Sequence, residues 1–138
     1  MPSELNHLST AIDNHQLAYS LLDENRSLAW ATTVAFYSAL HLVEASFARN
    51  GEHYDQHASR NNRLKHDRSY QHIWKHYKPL YDWSLKARYL MDDAGSAECL
   101  MRNYLSESGV REKILGHYLC QTEKSVAAKL DGKPIFQS

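Results

Sequence analysis

The residues from Ser27 to Asn50 limit the fold more than any others, because their apolar side chains would face every direction of a helix. They include Leu, Val, Phe, Tyr and Trp together with six alanines. A helix that is apolar on all sides belongs in the centre of a bundle. The segment is long enough to span a membrane, but it carries polar side chains whose insertion is costly. These are Thr32, Thr33, Ser38, His41 and Glu44. We therefore predict the buried central helix of a bundle that has no membrane association.

Tyr37, His41 and Glu44 follow one another in this segment at steps of four and three residues. A helix places residues at these steps on one stripe. Polar groups inside a core need hydrogen-bond partners. We therefore predict a buried, hydrogen-bonded pair of His41 and Glu44, with Arg88 as a further partner.

The composition favours a single all-α domain spanning residues 1–138, with 131–138 as a loose tail. Five glycines, three prolines and the absence of alternating β-branched runs leave little material for a sheet. Sixteen basic residues balance sixteen acidic ones, so global charge indicates neither nucleic-acid nor membrane binding. Two distant cysteines and an N-terminus without signal-peptide features predict a reduced, cytoplasmic protein.

The spacing of apolar residues predicts further helices at 4–25, 69–91 and 110–130, and a short one at 97–105. Ser3, Ser27 and Ser108 are the predicted N-caps of three helices, and Gly51 is expected to end the central one. Pro79 should kink or divide the helix at 69–91, because proline removes a backbone hydrogen bond. The expected architecture is an up-down bundle of four to five helices.

Histidines are concentrated between residues 53 and 76. His72 and His76 are four residues apart on a predicted helix, a spacing at which two imidazoles can chelate a divalent ion. No adjacent carboxylate motif accompanies them, so a polar helix face is the preferred interpretation. We predict no metal site and no cofactor.

The aromatic face of the helix at 69–91 is interpreted mainly as core. It contains Trp74, Tyr77, Tyr81 and Trp83. The alternative is a wall that binds a ligand, which would require these rings to stay accessible.

Two arginine and histidine pairs have chemistry suited to RNA cleavage, Arg60 with His66 and Arg111 with His117. An imidazole can exchange a proton with the 2′-hydroxyl or the leaving oxygen, while a guanidinium holds the phosphate charge. In a straight helix, six residues leave two side chains about 120° apart. Each pair would therefore converge only at a helix start, at a bend or across a dimer.

The segment WATTVAFYSALHLVEASFARNGEHYDQHASR, followed by a Tyr/Leu-rich helix ending in SLKARY, resembles the HEPN superfamily of small helical domains. The resemblance implies a bundle of four or five helices that often forms a homodimer. Active members are metal-independent endoribonucleases with an R-x(4–6)-H motif whose second position is usually polar. Both Arg60 to His66 and Arg111 to His117 match this form.

The resemblance implies Arg60 and His66 as catalytic residues, with Arg111 and His117 as the second candidates. The first pair is preferred because its surroundings are polar and expected to be accessible. Asn61 occupies the polar second position, His57 is a candidate accessory proton carrier or phosphate contact, and Arg63 belongs to a basic cluster around them.

The partners implied by the resemblance are a second copy of the chain, RNA, and a cognate antitoxin or a nucleotidyltransferase. The expected function is RNA cleavage or RNA binding within a toxin–antitoxin or phage-defence system. The alternative is a non-catalytic HEPN module for dimerisation or protein interaction, which near-neutral charge would suit.

Overall fold

The computed structural model of the protein describes residues 2–24, 26–90 and 105–136. Within these ranges the chain forms five helices and no strand. They are α1 Glu4–Asp23, α2 Leu28–Arg49, α3 His57–Lys65, α4 Gln71–Leu90 and a last helix, α5, at 107–129. The predicted all-α helical bundle is confirmed.

The second helix, α2, is the centre of the bundle, as predicted. Sixteen of its 22 residues are buried, and they include the large side chains of Phe36 and Phe47. The Ser27 hydroxyl accepts a hydrogen bond from the backbone N–H of Trp30 and caps the helix start. Gly51 follows the helix end with a φ of 75°, a conformation that glycine adopts without strain.

The first helix packs antiparallel against α2. His7 contacts His41, and the Ser38 hydroxyl donates to the carbonyl of Ala11. Residue numbers therefore fall along α2 as they rise along α1. The predicted Ser3 cap is also present, with its hydroxyl accepting from the backbone N–H of Asn6.

Residues 51–67, which we call the connector, contain a helix that the sequence pattern did not predict. α3 occupies most of the connector's second half, and Leu64 and Arg60 anchor it with exposed fractions of 0% and 4%. A short 3₁₀ turn, Arg68–Tyr70, then leads into α4. The connector is thus packed on α2 along one side rather than open on all sides.

The fourth helix continues through Pro79 without a break, so of the two predicted effects, a kink or a division, the division is wrong. The interior of the helix tolerates the missing N–H because the neighbouring turns pack into the core through Ile73, Tyr77 and Leu80.

The last helix changes geometry along its length: Glu107–Gly109 is α-helical, Val110–Leu119 is π-helical and Cys120–Lys129 is α-helical. Its N-cap is Ser106, whose hydroxyl accepts from the backbone N–H of Gly109, so the predicted Ser108 cap is wrong. The short helix predicted at 97–105 lies almost entirely outside the described residues. In the segment predicted as a tail, the Phe136 ring stacks on the His15 ring, with the two ring centres 4.0 Å apart.

Candidate functional site

A cluster of polar side chains fills the space between the middle of α2, the start of α1, the connector and α3. Its members, which we call the polar cluster, are His7, His41, Glu44, His53, His57 and Arg60. The α2 stripe seen in the sequence supplies His41 and Glu44. The other members come from α1 and from the connector, so only folding brings them together.

Glu44 and Arg60 form the buried centre of the polar cluster. Glu44 Oε1 accepts from Arg60 Nε at 3.1 Å and from the backbone N–H of Tyr54 at 3.1 Å. Arg60 Nη2 donates to the carbonyl of Tyr54. The two side chains are 1% and 4% exposed. Buried charges of this kind are stable only when paired and hydrogen-bonded, so this contact fixes α3 and the connector to α2.

The predicted pairing of His41 with Glu44 is wrong. His41 Nδ1 lies 3.0 Å from Nδ1 of His7 on α1, whereas Glu44 faces α3 and the connector. Arg88 is also placed differently, because its Nη1 donates to the hydroxyl of Tyr37 at 3.2 Å. The three polar residues of the stripe therefore contact three different helices: Tyr37 contacts α4, His41 contacts α1 and Glu44 contacts α3.

His57 is the imidazole that contacts Arg60. Its Nδ1 lies 3.3 Å from Arg60 Nη1, and its ring centre lies 5.8 Å from Phe36 and 5.5 Å from Tyr81. Burial against these rings lowers the pKa of His57, and the positive charges of Arg60 and Arg88 lower it further. At neutral pH the imidazole is uncharged and can accept a proton.

His7 and His53 complete the polar cluster with stacked rings whose centres are 6.1 Å apart. Burial lowers the pKa of His7 to about 4, reinforced by His41, His53 and Arg60. His53 Nε2 lies 2.6 Å from Asp55 Oδ1. His7, Glu44 and His53 offer one ligand atom each within 4.8 Å of one another, and they are the residues able to hold a metal in the part of the chain that the structure describes.

The structure separates the favoured pair, Arg60 and His66. Arg60 points into the core, whereas His66 is exposed at the C-cap of α3. No hydrogen bond or ion pair joins them within the described ranges. The expectation that Arg60 is accessible is wrong, because its position on α3 faces Glu44, and six helical residues turn His66 away by about 120°.

Arg111 and His117 are likewise not in contact with each other. Arg111 Nη2 pairs with Asp23 at 3.0 Å and with Glu107 at 3.3 Å. His117 is exposed, and its ring centre lies 5.4 Å from that of His76. Across the described ranges each member of this pair therefore has other partners.

The predicted substrate-binding residues next to Arg60 lie on α3. Arg63 donates to Asp67 at 2.6 Å and to Glu52 at 3.2 Å, so its charge is used within the protein. Asn61 is half-buried, and its Oδ1 is buried without a hydrogen-bond partner among the described residues. Lys65 and Arg68 are exposed, and the described chain gives them no ion pair.

The sequence interpretation missed His7 and His53 as members of the site. His7 lies in a pattern of leucines that indicates only an amphipathic helix, and His53 is one of several connector histidines. The signal that could have found them is the polar stripe of α2, because polar groups on a helix predicted to be buried require partners from elsewhere in the chain.

His72 and His76, the pair first considered for metal binding, have their ring centres 5.6 Å apart on α4. His76 Nδ1 lies 3.1 Å from the carbonyl oxygen of His72. Of the aromatic wall, Tyr77 is fully buried, with its ring centre 5.5 Å from that of Phe36. Tyr77 is therefore a core residue and is not accessible to a ligand.

Comparison of the chain with protein-family models, curated proteins and solved structures finds no match. In the described ranges, no helix has the length and apolar character needed to cross a bilayer.

Proposed function

We propose that the chain is an HEPN-like helical protein that binds and cleaves RNA without a metal, as a component of a toxin–antitoxin or phage-defence system. The observation that carries the proposal is the contact of His57 Nδ1 with Arg60 Nη1 at 3.3 Å. It joins an uncharged imidazole to a guanidinium, the two groups that metal-independent RNA cleavage needs. His57, at first assigned an accessory role, takes the place of His66 as the principal proton carrier.

The chemistry assigned to this pair is a transesterification. A substrate phosphate replaces His57 as the acceptor for Arg60 Nη1, which frees the Nδ1 lone pair to take the proton of the 2′-hydroxyl. The 2′-oxygen then forms a bond to phosphorus, and the bond from phosphorus to the 5′-oxygen breaks. The 5′-oxygen takes a proton from water, the proton held by His57 returns to the solvent, and a 2′,3′-cyclic phosphate remains on the other fragment.

Exposed basic side chains near this pair support RNA binding despite the neutral total charge. Lys65 lies on the same connector as His57, Arg68 follows it directly, and neither has an ion pair in the described structure. Such cations contact the phosphate backbone and make binding weaker as salt increases. Exposed His66 adds a third group able to contact phosphate or supply a proton.

The alternative, a non-catalytic module for dimerisation or protein interaction, is favoured by a different observation. Arg60 is 4% exposed and already bonded to Glu44 and Tyr54. Its contact with the half-buried His57 therefore leaves it little access to a substrate. Leu5 and Trp30 are 75% and 50% exposed and would suit an apolar partner.

The proposal predicts that the purified protein cleaves total RNA in the presence of EDTA and that H57A slows cleavage by a factor of about 10² to 10⁴, the usual contribution of a proton-transferring side chain. Cleavage rates are read from gels of a defined RNA and from detection of the 2′,3′-cyclic phosphate. H72A, which removes an exposed histidine of α4, should leave the rate unchanged.

Intact RNA with the wild-type protein would favour the non-catalytic alternative. Cleavage that survives H57A but stops in H66A would return the proton-transfer role to His66. Cleavage that survives both substitutions would move the site to Arg111 and His117. Sedimentation at several concentrations tests the predicted homodimer separately.

A further inference from the structure

We propose that His7, Glu44 and His53 form a binding site for one divalent transition-metal ion, of which Zn²⁺ suits the ligand set best. The site uses the Glu44 oxygen that Arg60 does not contact, and it is independent of the proposed RNA cleavage. It joins α1, α2 and the connector, which are separate in the sequence.

The first observation is that three buried polar atoms without hydrogen bonds share one small region. They are His7 Nε2, Glu44 Oε2 and His53 Nδ1, one atom from each residue of the proposed site. The side chains of His7 and Glu44 are 4% and 1% exposed. A buried polar atom without a partner destabilises the folded protein. A metal ion at their common centre would satisfy all three at once.

The second observation is that the remaining polar atom of each ligand is already held by another group. His7 Nδ1 contacts His41 Nδ1 at 3.0 Å, and His53 Nε2 contacts Asp55 Oδ1 at 2.6 Å. Metal-binding histidines usually donate their second N–H to such a partner, and carboxylates fix the ring in this way. With Nδ1–H donated to His41, His7 presents the lone pair of Nε2 to the shared region.

Glu44 is held in the same manner through its other oxygen. Its Oε1 accepts from Arg60 Nε and from the backbone N–H of Tyr54. The guanidinium therefore occupies Oε1, and Oε2 remains free of hydrogen bonds. The positive charge of Arg60 weakens the attraction of Glu44 for a cation, so the neutral imidazoles must supply much of the affinity.

The spacing of the ligand atoms is close to that of a tetrahedral site. His53 Nδ1 lies 3.6 Å from Glu44 Oε2. Metal–ligand distances of about 2.0–2.2 Å place tetrahedral ligands about 3.4 Å apart. The three ligand atoms all lie within 4.8 Å of one another, so they surround a space of the size that one ion needs.

The donor set selects the class of metal. Two imidazoles and one carboxylate bind Zn²⁺, Fe²⁺ or Co²⁺, whereas Mg²⁺ and Ca²⁺ prefer sites made of oxygen alone. Three protein ligands leave a fourth position of a tetrahedral ion for water or another group. Zn²⁺ is the probe of choice because it accepts this geometry without a redox change.

The test is calorimetric titration of Zn²⁺ into the full chain, freed of any histidine tag and of bound metal. We expect the wild-type protein to bind one Zn²⁺ ion per chain and no Mg²⁺. H53A should weaken binding at least about 100-fold, because even the loss of an outer-shell partner typically costs 10- to 100-fold. His53 lies on the connector with 27% of its side chain exposed, so its removal should leave the fold intact.

The matched control is H72A/H76A, which removes the two neighbouring histidines of α4 and should bind Zn²⁺ as the wild type does. D55N should weaken binding roughly 10-fold or more through His53 alone, since Asp55 is 84% exposed and has no structural role in the core. Zn²⁺ should also raise the melting temperature of the wild type but not of H53A, because an ion bound only by the folded state stabilises it.

A second measurement uses only the wild-type protein, so misfolding of a variant cannot affect it. Co²⁺ bound to the wild-type protein should give the visible absorption of a four-coordinate nitrogen and oxygen site. The proposal is overturned if the wild type binds no Zn²⁺, if H53A binds it as tightly as the wild type does, or if binding disappears in H72A/H76A instead.

Discussion

Replacing Glu44 by alanine should destabilise the protein by about 3–5 kcal/mol, the cost of leaving one member of a buried ion pair without its partner. Arg60 would keep its charge at 4% exposure, and the backbone N–H of Tyr54 would lose its acceptor. The loss is measured as the free energy of unfolding in urea at pH 7.5, with EDTA present so that no metal contributes.

The ion pairs of Arg63, which lie nearer the surface, provide the matched comparison for the buried pair of Glu44 and Arg60. Arg63 pairs with Glu52 and Asp67, but 24% of its side chain is exposed. Ion pairs near the surface contribute about 0–1 kcal/mol, so R63A should cost far less than E44A. The double substitution E44L/R60M should cost less than E44A alone, because it removes both buried charges and leaves neither unpaired. A loss in E44A no larger than that in R63A would mean that Arg60 reaches solvent.

The central helix was predictable from the sequence because its signal is local. An apolar run with polar ends and a serine cap describes α2 almost completely, and Ser27 and Gly51 lie at its ends as expected. The burial of α2 then requires other helices to surround it. The all-α class follows from this requirement and from the shortage of sheet-forming residues.

The location of the site was not predictable in the same way, because its contacts join residues far apart in the sequence. Arg60 appears in a polar stretch and was expected at the surface, yet Glu44 on α2 draws it into the core. A charge pattern along the chain cannot reveal such a pairing. His41 was assigned to Glu44 from their spacing, whereas packing against α1 gives it His7 as its neighbour.

Lowering the pH from 7.5 to 5 should destabilise the protein through histidines that fold into positions where protonation is costly. Burial lowers the pKa of His15 and of His76, and burial with the charges of Arg60 and Arg88 lowers that of His57. Below pH 6.5 the unfolded chain therefore binds protons at these positions more readily than the folded chain does. The free energy of unfolding must fall with pH, by at most about 1.4 kcal/mol per pH unit for each such histidine.

The triple variant H15Q/H57Q/H76Q should lose less stability than the wild type between pH 6.5 and 5, whatever its stability at pH 7.5. His7 and His41 are present in both proteins, so their contributions largely cancel in the comparison. H66Q controls for the loss of an exposed histidine.

The carboxylate of Asp67 titrates below the pH range of this experiment, so it does not add to the effect of the histidines. Hydrogen bonds from Ser69 and Arg63 lower the pKa of Asp67 to about 2. The stability that Asp67 contributes is therefore complete above its ordinary pKa near 3.8 and is lost only as the pH falls from there toward 2. Urea unfolding with EDTA at half-unit steps from pH 7.5 to 5 stays above that window. A wild type equally stable at both ends, or a triple variant that falls as steeply as the wild type, would show that these imidazoles are hydrated in the folded protein.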